Sequence, residues 1–436
     1  MKDLLLIELN EIDFDFLKIA IVSKNRPHIK KLLSLSKINT KTEDKEEGHN
    51  LDPWVQWVSI HTGLPSSVHN VFNFSNRLNS KYDQTWEVLA NKGYSCSIWG
   101  AMNSRMSSHS NILQYLPDPW NFDEKANSKS LNNFLEFPRY FAGNYKSLKI
   151  KNIISPIFKL FYSILSENIF FDIIKKLPFF IKSFIKSNTR VFIFYLILDL
   201  ITIKLIKKRI KNEKPSFLLI FLNSSAHFQH NQWDREDVFD IYFDFVELIL
   251  KDLFEIKNNY QSMIVANGFS QIKIEPKYLC KIKDPDTFFK ELGLSFKSIE
   301  ANMTTGGTIL FNNENEKESA INLLQKYVIN KNDVFYLKDT EKMRLYYRLD
   351  LVLNKEIKII KELKSNNLLK PRVEESITFE EKDISIFTRL FENLSFIKST
   401  SIHGQTGDLY YENILFDKDE INNYELHNYI LKHFEK

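Results

Sequence analysis

The segment FLLIFL at residues 217–222 is apolar at six consecutive positions. A strand with one face in water alternates apolar and polar side chains, so an unbroken apolar run fits a strand covered on both faces, as in a parallel sheet. LLLIEL at 4–9 has the same texture, broken only by Glu8. Between them, TWEVLANKGYSCSIWGA reads as an amphipathic helix, a turn at Gly93 and a strand over 94–99. REDVFDIYFDFVELILKDLFEI followed by QSMIVANGFSQ repeats that grammar, which belongs to α/β folds. The prediction is an α/β fold: a mostly parallel sheet flanked by helices.

A chain of 436 residues holds one large domain with insertions, or two domains. We expect a core in three parts, 1–127, 213–280 and 396–436. A basic helical insertion is expected over 128–212, broken at Pro156 and Pro178. A small α+β insertion is expected over 281–395, with a strand and helix in GGTILFNNENEKESAINLLQKYVI followed by a charged helical stretch. Two cysteines, Cys96 and Cys280, form no CxxC pair, which argues against a disulfide framework and suits a reducing, cytoplasmic setting. The opening MKDLLLIELNEID meets Glu8 too early for a signal-peptide core and reads better as a buried strand.

Charge is unevenly distributed. The formal net charge is +4, which by itself implies no nucleic-acid partner. Residues 146–211, however, hold fourteen Lys/Arg against Glu167, Asp172 and Asp199, a local +11, leaving −7 for the rest. Phe, Ile and Leu interleave with those lysines, so an anionic membrane surface is one expected partner, at the inner face of a membrane. The apolar run 191–206 contains Asp199 and Lys204 and is shorter than the roughly 20 residues of a spanning helix. Burial in the core is the alternative for this segment.

In a parallel sheet the loops after the strands build the site. Polar clusters fall at such ends: Glu8–Asp13, Asp52–His61, Asn223–His230, 266–271 and His403. Together these segments resemble the alkaline-phosphatase superfamily, and within it the type I phosphodiesterase/nucleotide pyrophosphatase branch. The most specific stretch is SIHTGLPSSVHNV, residues 59–71, similar to the family pattern S-x-x-TG-x-x-P-x-x-HG-I. The resemblance implies a paired-metal site that clamps the oxygens of phosphoryl transfer. It also shows how much of that site is replaced. Asn10 stands at the first metal-binding Asp, with Glu11 at the following glycine. Pro53 stands at the nucleophile. Ala226, Ala266 and Asn267 replace further ligands, while His230 and His403 are kept.

What the resemblance then implies is at most one zinc or other divalent ion, held by His230, His403 and His227, since three histidines suffice for a zinc with an open position. The family has no ligand at 227. Paired core histidines are the alternative for 230 and 403. Glu8, Glu11 and Asp52 are candidate acid–base or nucleophilic carboxylates, against plain roles as salt-bridge and capping residues. Asn10, Trp54, Gln56, Asn223, Gln229 and Asn267 are candidate substrate contacts. The expected function is a phosphodiesterase/pyrophosphatase-like hydrolase or transferase acting on a small-molecule or glycan phosphate ester, such as a nucleotide-linked sugar. A catalytically silent relative that binds a glycan or partner protein is the second expectation.

Overall fold

The computed structural model describes residues 2–44, 51–72, 78, 80–144, 150–187, 191–301, 305–326, 328–329, 332–341, 343–349, 352–353 and 394–435. Its contacts divide the chain into two compact units, 1–274 with 401–436, and 275–400.

The first unit is built on an eight-stranded sheet. Its order is Glu420–Asn422, Ser36–Lys41, Thr406–Glu412, Ser262–Ala266, Leu4–Leu9, Phe217–Leu222, Cys96–Trp99 and Ile112–Leu116. Leu4–Leu9 pairs parallel with both Phe217–Leu222 and Ser262–Ala266, and every residue of these three strands is buried. That is why the apolar runs are unbroken: each strand is packed by helices on both sides. Thr406–Glu412 runs antiparallel to both its neighbours, Ser36–Lys41 and Ser262–Ala266. The sheet is therefore mostly parallel, with flanking helices such as Phe14–Ser23 and Phe239–Lys257.

Helix Pro53–Thr62 starts with a proline at its first turn, where no intrahelical N–H bond is lost, and stops at Gly63 in the left-handed region. A β-carbon on Gly63 would lie 2.7 Å from the His427 ring, so the stop also needs the missing side chain.

The described parts of 128–212 are largely helical; a break falls at Pro178 as expected, one helix ending at Ile174 and the next starting at Leu177, but not at Pro156. Pro156 lies inside helix Ile150–Ser166, and Pro178 sits in the first turn of Leu177–Lys186. The carbonyl that Pro156 leaves unbonded belongs to exposed Asn152, where water can take it.

The second unit has its own core, which includes Phe289, Ile309, Leu324, Leu345 and Tyr347. Its four-stranded sheet runs Phe335–Glu341, Arg344–Leu349, Gly306–Leu310 and Ser298–Ala301, with helix Glu314–Leu324 following in sequence after Gly306–Leu310. Residues 335–349 thus form a hairpin where a charged helix was expected. Leu345, Tyr347 and Leu349 alternate into the core, a period of two that outweighs the charges between them. The remainder of that expected helix, 354–393, lies outside the described residues.

Candidate metal centre

The site forms at the carboxyl ends of the parallel strands. Strand Leu4–Leu9 delivers Asn10 and Glu11, strand Phe217–Leu222 delivers Asn223 and the helix Ser224–Gln232, and strand Ser262–Ala266 delivers the loop to Gln271. His403 enters from the end of strand Leu394–His403. Glu11 carries φ 57°, a left-handed conformation that few side chains adopt. This turn directs its carboxylate inward, where the residue is 2% exposed.

Glu11 Oε2 is the hub. His230 Nε2 lies 2.9 Å away, His403 Nε2 3.3 Å, and Gln271 Nε2 donates to it at 2.6 Å. Asn10 donates from its amide to Oε1 at 2.9 Å. The three candidate ligand atoms on Glu11, His230 and His403 all lie within 4.8 Å of one another. Burial would raise the Glu11 pKa, but the two neighbouring histidines, chiefly His403, hold the carboxyl well below its usual range.

The hydrogen bonds around Glu11 orient the His230 ring. A carboxylate only accepts, so Gln271 presents its NH₂ to Glu11 and its carbonyl oxygen to Ser401. Ser401 therefore donates to Gln271 Oε1, at 2.6 Å, and accepts from His230 Nδ1, at 3.1 Å. His230 turns Nε2 towards Glu11 Oε2 at 2.9 Å, where an ionised carboxylate accepts a hydrogen bond from it or both share a cation. His403 is oriented likewise, with Nδ1 3.6 Å from Asp52 Oδ1. Three nitrogens face one carboxylate oxygen that has two lone pairs, so a cation shared among Glu11, His230 and His403 fits this donor set better than direct bonds to all three.

Several candidates lie elsewhere. His227 is a correction to the three-histidine ligand set. Its ring stacks on Tyr195 at 3.8 Å, burial lowers its pKa to about 4, and its Nε2 lies 3.5 Å from the Asn223 amide. Glu11 joins the two histidines instead. Glu8 is wholly buried on the strand and pairs with His61 at 2.9 Å, away from the Glu11 group. Alternation along the strand sends it to the opposite face from Leu9. Asp52 makes no capping bond to its helix, despite its N-cap position, and faces His403.

Among the substrate candidates, Trp54 donates to Phe72 O and Gln56 bridges Asp44 and Asn423. Gln229 accepts from Asp13 N, and Asn267 ties Ile12 O to Asp408 N, so both brace loops. All four are buried, and these bonds brace helices and loops. Asn10 is also buried: it accepts from Trp57 Nε1 at 2.6 Å and donates to Asn223 Oδ1 at 2.7 Å. Asn223 keeps partial exposure beside it. Pro53 opens its helix and offers no nucleophile. Ser59, His61 and Thr62 form no relay, because they bond to His69, Glu8 and Val58 O respectively.

Sequence reasoning missed Ser401 and Tyr195. Ser401 had a signal, since in STSIH it stands two residues before His403 and so on the same strand face. Tyr195 had none, lying in a helix far along the chain.

No family model matches the chain, and no curated protein matches it. Solved structures similar to it include phosphonoacetate hydrolase from Sinorhizobium meliloti in complex with phosphonoformate. Identity there is 9%, coverage is 99% of this chain and 95% of that one, and the TM-score is 0.43. Human ectonucleotide pyrophosphatase/phosphodiesterase 5 shows 9% identity over 99% of this chain and 94% of its own, with a TM-score of 0.46. An inactive form of the murine protein in complex with AMP shows 9% identity, 100% and 95% coverage, and a TM-score of 0.48. Two of these names belong to the branch that residues 59–71 resemble. At such values the chemistry of this chain rests on its own residues.

Proposed function

We propose that the chain is a phosphoesterase-like protein with a single-cation site, in which Glu11, His230 and His403 hold one divalent ion of the zinc type. The observation that supports this reading is that both imidazoles have Nδ1 facing a neighbour, Ser401 Oγ or Asp52 Oδ1, and Nε2 turned to the same Glu11 oxygen. Zinc-binding histidines are oriented in this way by groups behind them. A divalent ion bound there supplies Lewis-acid polarisation of a phosphoryl oxygen.

The residues determine the rest. Glu11 is held ionised by its histidines, and Gln271 and Ser401 hold the His230 ring with Nε2 towards Glu11. The His230 side chain, 31% exposed, leaves the site open to a phosphate ester on that side. Alanines at 226 and 266 and Asn10 at the strand end provide no carboxylates for a second ion. With Pro53 at the helix start, water or a substrate hydroxyl must act as the nucleophile in a hydrolase or transferase. Candidate substrates are phosphorylated or nucleotide-linked sugars and glycans, a class that comes from the resemblance of residues 59–71.

A second reading is favoured by the amides of Asn10 and Gln271, which satisfy both Glu11 oxygens without any ion. On that reading the site is silent and the chain binds a glycan or a protein. Equilibrium binding of a phosphate monoester and a phosphonate separates the two. The first reading expects binding that requires zinc and is lost in His403→Ala; zinc-independent or absent binding favours the second.

A further inference from the structure

Helix Ile150–Ser166 carries more apolar surface than its own chain buries: Ile164 and Leu160 pack on the core, yet a second apolar stripe faces outward. Ile154, Ile157, Phe158, Phe161, Tyr162 and Leu165 follow the i, i+3, i+4, i+7, i+8, i+11 spacing of one helix face, and all are exposed, Phe158 at 68%. The opposite face points inward: Ile164 is buried in the core, Leu160 packs against it, and buried Ser163 places its Oγ 3.2 Å from Ser130 Oγ of helix Lys129–Asn144. Leu177, Ile181 and Ile185 repeat the pattern at i, i+4, i+8 on Leu177–Lys186, with Ile185 76% exposed. That helix is anchored from its other side by Phe180, which stacks on Phe245 at 5.9 Å. In the short helix between them, Phe171 is 75% exposed. Exposed apolar surface on this scale marks an interaction face.

Charge selects the partner. Residues 150–187 contain six lysines against Glu167 and Asp172, and Glu167 is held by Arg209. Lys175, Lys182 and Lys186 are exposed beside the apolar positions. A second copy would bring the same positive excess face to face. No helix among the described residues is long and apolar enough to cross a membrane.

We propose that the helices within 150–187 lie in the headgroup region of an anionic lipid bilayer, with the apolar stripe inserted and the lysines on the phosphates. This inference is independent of the Glu11 site.

Co-sedimentation with phosphatidylcholine vesicles, with and without phosphatidylglycerol, tests it, alongside sedimentation velocity without lipid. Wild type should pellet with the anionic vesicles and bind the neutral ones on the order of tenfold less. Lys182→Glu with Lys186→Glu should remove the anionic preference, and Phe158→Glu with Phe161→Glu should abolish binding at any salt. Protection of 150–187 from hydrogen exchange on anionic vesicles should follow in the wild type, which requires no variant to fold. Failure to bind anionic vesicles at low salt overturns the proposal. So does a wild-type dimer that Phe158→Glu with Phe161→Glu turns into a monomer, which would mean that a second copy covers the face.

Discussion

Glu11 holds a backbone conformation that glycine adopts freely and other residues adopt at a cost of about 1–2 kcal/mol. Replacing it separates backbone from side chain. Glu11→Ala loses the carboxylate and keeps the strain, whereas Glu11→Gly loses the carboxylate and relieves it. Chemical denaturation should therefore find Glu11→Gly more stable than Glu11→Ala by about 1 kcal/mol; equal stabilities would mean that the strain is not there. Gly268 makes a second test. A β-carbon there would approach the Trp57 ring to 2.9 Å at φ 74°, displacing the indole that donates to Asn10. Gly268→Ala should cost about 1–3 kcal/mol in denaturation and weaken cation binding together; a loss of stability alone would detach Trp57 from the site. At this scale, the positions of His230 and His403 came from the resemblance, and the structure brings their Nε2 atoms to the same Glu11 oxygen. Gln271 and Ser401 were not assigned because their role is second-hand: they act on the His230 ring, and no spacing along the chain encodes that.

Helix Val191–Asn212 reaches the site through Tyr195 on His227 and through Asp199, which accepts from Ser224 N at 3.1 Å. Asn223 makes no capping bond with its side chain, so Asp199 stands in for the cap of the helix that carries His227 and His230. Burial pushes the Asp199 pKa up to about 7. A raised carboxyl stabilises the fold most below its unfolded value near ~3.9, and that contribution is lost as pH climbs through the folded value. Urea denaturation of Asp199→Asn should thus show its largest gain over wild type above pH 7 and little gain near pH 4, since each pKa unit is worth about 1.4 kcal/mol. A gain independent of pH would show that Asp199 does not titrate in this range. The strands of the main sheet were legible from their apolar runs, and so were the helices beside them. The hairpin at 335–349 was not, because the charges in DTEKMR mask an alternation that only a facing core reveals.

For the whole molecule, the proposed site offers no nucleophile at Pro53 and no carboxylates at Asn10, Ala226 and Ala266 for a second ion. Wild type should therefore give no robust turnover of generic nitrophenyl phosphate esters with added zinc. EDTA-sensitive turnover of those esters would place a nucleophile that Pro53 cannot provide. The class of fold could be read from strand texture and order, while the proposed ligand set differs from the expected one in Glu11, which occupies a glycine position, and in His227, whose ring stacks on Tyr195. The central claim is one cation on Glu11, His230 and His403, and the direct measurement is elemental analysis of purified protein after equilibration with zinc and removal of excess. The account predicts about one equivalent in the wild type, near none in His230→Ala and in Glu11→Gln, and an unchanged equivalent in His227→Ala. Metal-free wild type, or an equivalent that survives His230→Ala and disappears in His227→Ala, would contradict it.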